Sequence, residues 1–196
     1  AAARKAGLRP AAEIQFNNTC EIASIPYLPV MDLVAEHIRA RLISNSQALI
    51  PGSKHRMGAL LEIEPGWHLY APSQNDSGLP ILLELSAPPG FEIAPLSWPT
   101  PHRLISEGPL LDHVYEGETI VLFELEVPPD ARPGWTATIH CRTEWLVCGS
   151  GCIPGEGSFA LTLPILEPGA SATPSIDSEK GELQEIMAPL LSKQAE

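Results

Sequence analysis

The sequence predicts an all-β fold, an immunoglobulin-like antiparallel β-sandwich, and three observations predict it. Twenty-one prolines and fifteen glycines among 196 residues are too many for a helical bundle and suit short strands joined by turns. Apolar residues recur with period two in several runs, the signature of half-buried strands. Turn-forming clusters separate those runs at the spacing of a sandwich. A hydrophobic content of 44% is enough for one good core in a chain of this length.

Taken in order, residues 1–33 carry no sustained period and read as an irregular N-terminal arm, in which only Ile22, Ile25, Tyr27 and Leu28 suggest docking. The sandwich is expected over 34–168. Val34, Ile38, Ala40 and Leu42 alternate with polar or small neighbours and predict a first strand from Val34 onward; Pro51-Gly52-Ser53 turns it. Met57, Ala59, Leu61 and Ile63 predict a second strand, closed by Pro65-Gly66. Further strands are expected over 80–86, around Phe91, over 119–127 with Val121, Phe123, Leu125 and Val127 on one face, over 135–147, and over 157–164. Asn75-Asp76-Ser77-Gly78, Pro88-Pro89-Gly90, Glu116-Gly117-Glu118 and Pro128-Pro129-Asp130 separate them. Residues 169–196 read as a linker followed by a short amphipathic helix, because Leu183, Ile186, Met187, Leu190 and Leu191 recur at helical spacing until Pro189 ends or kinks it.

Charge narrows the function classes. Twelve basic against twenty-four acidic residues give a net charge of −12, which argues against nucleic acid or an anionic membrane surface as a partner. The longest apolar runs, such as Ile120-Val121-Leu122-Phe123, fall far short of the ~20 residues of a membrane span. The chain opens on Ala1 rather than methionine, which suggests a piece of a longer precursor.

The chemistry concentrates in Trp145-Leu146-Val147-Cys148-Gly149-Ser150-Gly151-Cys152-Ile153-Pro154-Gly155. A straight strand would hold positions 148 and 152 roughly 13 Å apart at about 3.3 Å per residue. A disulfide needs Cα atoms within about 4.4–6.8 Å. If the pair bridges, the chain must fold back, and Gly149 and Gly151 are expected to supply the φ freedom for that bend. So small a ring adds only about 2 kcal/mol by loop entropy, which suits a redox device better than a staple. Other readings stay open: an ordinary structural disulfide, inert thiols, or part of a zinc or copper site, since His140, Cys141, Cys148 and Cys152 lie close in sequence. Cys141 falls in phase with Trp135, Ala137 and Ile139 and reads as a buried free thiol. A Cys20–Cys141 bridge is the alternative.

An ordered set of motifs then carries a resemblance. Pro65-Gly66-Trp67-His68-Leu69-Tyr70, Asn75-Asp76-Ser77-Gly78-Leu79-Pro80, Trp98-Pro99-Thr100-Pro101, Tyr115-Glu116-Gly117, and Trp145-Leu146-Val147-Cys148 with Cys152-Ile153-Pro154-Gly155 follow one another over residues 34–166. Together they resemble the amino-terminal periplasmic domain of the DsbD family of thiol:disulfide interchange proteins, including its ScsB-like copper-sensitivity-suppressor branch.

The resemblance implies an immunoglobulin-like module in the periplasm, part of an inner-membrane protein with an electron-carrying membrane domain and a thioredoxin-like domain. It implies a protein-disulfide reductase without a bound cofactor. Two electrons pass from the thioredoxin-like donor through Cys148 and Cys152 to periplasmic clients of thioredoxin fold. Cys152, which precedes Ile153-Pro154-Gly155, is implied as the site of the mixed disulfide. His68 and Tyr70 are implied to stand near the disulfide, where His68 supplies or accepts a proton and Tyr70 packs over the sulfurs or donates a hydrogen bond. Glu144, beside the pair, is a further supporting candidate, although a solvated strand residue is the plainer reading. The family's protective loop corresponds to the stretch from His102 to Leu111, which here carries no aromatic tip. Family members with five residues between the cysteines differ from the three found here, a spacing that resembles the WLVC subgroup. The copper-linked branch keeps a second reading, a periplasmic copper-binding or zinc-binding module that uses the same cysteines.

Overall fold

The computed structural model describes residues 30–106, 108 and 110–170. Among them there is no helix, and the strands form two antiparallel sheets. The strands are β1 (Val30–Met31), β2 (Leu33–Ala35), β3 (Ile38–Ser44), β4 (Lys54–Ile63), β5 (His68–Tyr70) and β6 (Leu82–Ser86). After these come β7 (Glu92–Ile93), β8 (His102–Ser106), β9 (Leu110–Tyr115), β10 (Glu118–Glu126), β11 (Thr136–Cys148) and β12 (Cys152–Pro164). One sheet runs β2-β3-β4-β10-β7. The other runs β1-β12-β11-β5-β9-β8, with β6 also on β11. Around Asp32 the chain crosses from one sheet to the other, so the sandwich takes in residues from Val30 onward, slightly before the expected boundary.

Alternation places the core. Leu61, Val121, Leu125, Ile139 and Phe159 point between the sheets and are fully buried. Val121, Phe123, Leu125 and Val127 share the buried face expected of them. Several expectations are corrected. The strand from Val34 is a β2–β3 hairpin, broken where His37 adopts φ 62°, a conformation that no strand continues through. The stretch from His102 to Leu111 is not a loop but most of a β8–β9 hairpin, paired from His102↔Val114 to Ser106↔Leu110. Trp135 precedes β11 and is 62% exposed under the Arg132 guanidinium, so it does not join the inward row that its parity predicts. β12 starts at Cys152 rather than 157. Cys20, the Cys20–Cys141 bridge and the C-terminal helix lie outside the described residues.

Candidate functional site

The site grows out of the longest strand pair among the described residues. β11 and β12 pair without interruption from Thr136↔Pro164 to Cys148↔Cys152. The cysteines are therefore the last cross-strand pair before the turn Gly149-Ser150-Gly151, which Gly149 N–H closes by donating to the Gly151 carbonyl at 2.8 Å. Directly opposed positions bring side chains together on one face. Cys148 and Cys152 are joined as a disulfide with a Cα–Cα separation of 4.1 Å. The fold-back expected from the sequence is thus present, but the reason for its glycines differs. Neither Gly149 nor Gly151 has a positive φ. A Cβ on Gly149 would instead lie 2.7 Å from Trp67 Cδ2 and 2.8 Å from the Gly66 carbonyl oxygen, so glycine is needed for close approach.

The faces of β11 separate its two cysteines. Odd positions from Ala137 to Val147 point into the core, and even positions point outward. Cys141 faces inward, is fully buried and carries a free thiol. Burial pushes that thiol up to about 12, and a weaker backbone hydrogen bond at Glu84 opposes the shift. Cys148 faces outward and yet is only 3% exposed. It is covered by a small outer cluster with Tyr70 and Val114, to which the half-buried Leu104 and Leu146 add. Cys152, its partner, is exposed.

What covers the outer face is a loop whose sequence reads as a plain turn. β5 is too short to pair with all of β9, and the segment from Ala71 to Ile81 satisfies β9 where β5 ends. Asn75 Oδ1 accepts from the His113 amide at 2.8 Å, and Asp76 Oδ2 accepts from the Leu111 amide at 2.8 Å. Ser77 donates through its amide and hydroxyl to the two carboxylate oxygens of Asp112, at 3.0 and 2.5 Å. Burial pushes the Asp112 carboxyl up, but the hydrogen bonds from Ser77 and from the Asp76 and Gly78 amides outweigh it and hold the group below the ordinary Asp value. Gly78 lies so close to the Tyr70 ring that a Cβ there would collide with it. The run of Asn, Asp and Ser was the available signal, since these side chains bind backbone amides.

The expected site residues are brought together in part. His68 is the register partner of Cys148 across β5 and β11, and its ring meets Tyr70 edge-on at 5.2 Å. Its Nε2 is buried and has no hydrogen-bond partner among the described residues. Burial lowers the His68 pKa, partly opposed by the charges of Glu116 and Asp112. Trp67 backs the turn at Gly149 and stacks on His37 at 3.6 Å. The expected cover over the disulfide is thus half realised. Tyr70 and Leu104 shield Cys148, while Cys152 stays open. Glu144 stands further from the pair and is held by Arg142 at 2.7 Å, with Glu156 on the same guanidinium at 3.5 Å. Trp145 is a core residue, 7% exposed.

An open groove of about 530 Å³ lies on the outer face next to the disulfide turn, lined by Leu79, Leu82, Leu146 and Pro154 together with Glu144 and Glu156. It exists because β6 pairs β11 only up to Glu144 and β5 pairs it only at Val147 and Cys148. Leu79 and Leu82 are 69% and 51% exposed. Among the described residues no cluster of three or more His, Cys, Asp or Glu side chains is placed to hold a metal ion. Neighbours in sequence diverge here: His140 faces outward and Cys141 inward on β11.

A family model described as "Thiol:disulfide interchange protein DsbD, N-terminal" matches residues 39–164. The N-terminal periplasmic domain of ScsB from Proteus mirabilis aligns with a TM-score of 0.52 at 16% identity, over 80% of this chain and 57% of that one. The chain therefore spans little more than half of that relative's length, and the likeness shows the fold. The reduced N-terminal domain of DsbD from Neisseria meningitidis aligns at 12% identity over 70% of this chain and 91% of its own, with a TM-score of 0.38. A complex of the DsbD and PilB N-terminal domains from the same organism aligns at 13% identity over 68% and 87%, with a TM-score of 0.37. No curated protein sequence matches the chain.

Proposed function

Because this chain belongs to the DsbD N-terminal family of thiol:disulfide interchange domains, we propose that it relays two electrons through Cys148 and Cys152. The donor is a thioredoxin-like domain, the acceptors are thioredoxin-fold clients, and the setting is the periplasm. The observation that carries this reading is the asymmetry of the pair: one cysteine exposed, the other buried on the outer face.

Exchange requires a thiolate, a sulfur it can reach in line and a leaving sulfur held in place. Cys152 is the reachable sulfur. A donor thiolate bonds to Cys152 Sγ, the Cys148–Cys152 bond breaks, and its electron pair stays on Cys148. The donor's second thiol loses its proton and attacks the mixed disulfide. Cys152 leaves, the donor closes its own disulfide, and two protons and two electrons have moved to the pair. The reverse sequence reduces a client. Tyr70 and Leu104 keep small thiols from the buried sulfur. The exposed Leu79 and Leu82 of the adjacent groove suit a protein-sized partner better than a free thiol. Glu144, engaged by Arg142 at the groove, takes no proton in this scheme.

The test is stopped-flow electron transfer from a reduced thioredoxin-like domain. Cys148→Ala and Cys152→Ala should each abolish turnover while the protein stays folded, since loop entropy assigns the small ring only about 2 kcal/mol. Turnover in both single variants would refute the relay.

A further inference from the structure

Reduction leaves a negative sulfur in an awkward place. When the disulfide opens at Cys152, the electron pair stays on Cys148, which sits among Tyr70, Val114, Leu104 and Leu146 and is 3% exposed. An unpaired thiolate in such surroundings is expensive, because apolar cover disfavours the charged form. The carboxylates whose charges reach this corner make it worse: Asp112 comes from β9 and Glu116 from the turn that follows. The leaving sulfur therefore needs a donor.

Across the β5–β11 register from Cys148 stands His68, and its buried Nε2 has no partner among the described residues while the disulfide is closed. Buried polar atoms are normally satisfied, and an exception calls for a reason. Directly opposed residues of an antiparallel pair have Cβ atoms about 4.5–5.5 Å apart, within reach of an imidazole nitrogen and a sulfur. The Tyr70 ring, which packs in the same outer cluster as Cys148, meets the imidazole edge-on at 5.2 Å.

We propose that His68 is the positioning residue for the leaving sulfur: its Nε2–H, unsatisfied in the oxidised state, donates a hydrogen bond to the Cys148 thiolate that reduction creates. The proposal rests on the exchange reading and adds to it the group that makes the buried cysteine a competent leaving group. Burial lowers the His68 pKa, with Glu116 and Asp112 pulling it back, so the ring is largely neutral at neutral pH. It therefore acts as a hydrogen-bond donor and not as the source of the proton. The proton that finally converts Cys148 to a thiol balances the one the donor's second thiol gives up. In the reverse direction the same bond favours the Cys148 thiolate, which attacks Cys152 Sγ in the mixed disulfide, expels the client sulfur as a thiolate and re-forms the Cys148–Cys152 bond.

Two measurements on the whole chain test this. The first is the pH dependence of Cys148 alkylation in the Cys152→Ala protein, read on the Cys148 peptide by mass spectrometry. His68→Phe keeps a ring and removes the donor. It should move the alkylation midpoint to higher pH by roughly one unit or more, as expected for losing a hydrogen bond to a charged group. His68→Gln, which restores a side-chain N–H, should recover much of the shift. The second is the rate of reduction by a reduced thioredoxin-like domain, with both cysteines present. His68→Phe should slow it about 10- to 100-fold, and His68→Gln should slow it less. A merely structural histidine would change thermal stability without moving the midpoint. Identical midpoints with and without the His68→Phe substitution would overturn the proposal, whatever the stabilities of the two proteins. A shifted midpoint in a protein that never exchanges with any thioredoxin-fold donor would leave the His68–Cys148 coupling standing and sink the relay reading instead.

Discussion

Cys141 and Cys148 lie on the same strand, seven positions apart, and both are almost fully buried. Their fates differ because an odd interval on a strand puts them on opposite faces. Cys141 is enclosed between two sheets that cannot separate without unfolding, and its thiol is pushed up to about 12. Cys148 is enclosed by a loop, one short strand and the edge of a hairpin, at an end where the sheet has already frayed into β5 and β6. Burial alone does not decide the reactivity of a thiol. What matters is whether the cover is core or lid, and whether an exposed partner sulfur gives access from outside.

Alanine at each of Cys141, Cys148 and Cys152 separates core from lid. Cys141→Ala should leave electron transfer within about twofold of wild type and cost roughly 1–2 kcal/mol of stability as a small core truncation. Either Cys148→Ala or Cys152→Ala should abolish transfer. Equal losses in all three variants, measured in the stopped-flow assay, would mean that the comparison is wrong.

The lid comes next. Gly78→Val places a branched side chain against the Tyr70 ring, so the Ala71–Ile81 segment or the ring must move. Overpacking of this kind typically costs about 1–3 kcal/mol. Reduction of the disulfide by a small dithiol should accelerate, because Cys148 becomes a second sulfur open to attack beside the already exposed Cys152. An unchanged small-dithiol rate with a lowered melting temperature would show that the lid does not limit access.

A gentler effect concerns acid. The hydrogen bonds that pin the lid hold the Asp112 carboxyl below the ordinary Asp value of 3.8. A depressed folded-state value stabilises the fold above the unfolded pKa, and that contribution disappears as pH falls through the folded one. Asp112→Asn should therefore flatten the acid limb of the stability curve below about pH 4, a window set by that depressed value. Denaturant titrations across the acid range check it. The smallest effect is chemical: at about pH 8 and without denaturant, Cys141 should resist alkylation while the reduced Cys152 reacts.

Much of this was readable from the chain. The alternation at Val121, Phe123, Leu125 and Val127 specified its strand and its face, and the motif from Trp145 to Gly155 specified the bend. Local periodicity could not show that His37 breaks a strand by turning to positive φ: Val34 and Ile38 have the same parity in the sequence, yet Val34 pairs with Arg39 and is 67% exposed, while Ile38 is buried. Nor could it show why Gly149 must be glycine, which depends on Trp67 arriving from a distant strand. The outward yet covered position of Cys148 was hidden for the same reason. The strand pattern assigns even positions of β11 to solvent, and only the arrival of Tyr70, Leu104 and Val114 from β5, β8 and β9 creates an outer cluster over Cys148. The family resemblance pointed to His68 and Tyr70 and to the 102–111 stretch. The structure puts all three near Cys148, but as strand pairs and hairpin and not as a free loop.

Whether the outer-face disulfide is a working redox couple or a staple is read most directly from its reduction potential. Equilibration of the purified protein against defined thiol redox buffers, with the Cys148 and Cys152 peptides followed by mass spectrometry, gives that value. A working couple should have a potential in the range of thioredoxin-like couples, between about −180 and −270 mV. A potential well below about −300 mV, where structural disulfides lie, would contradict it.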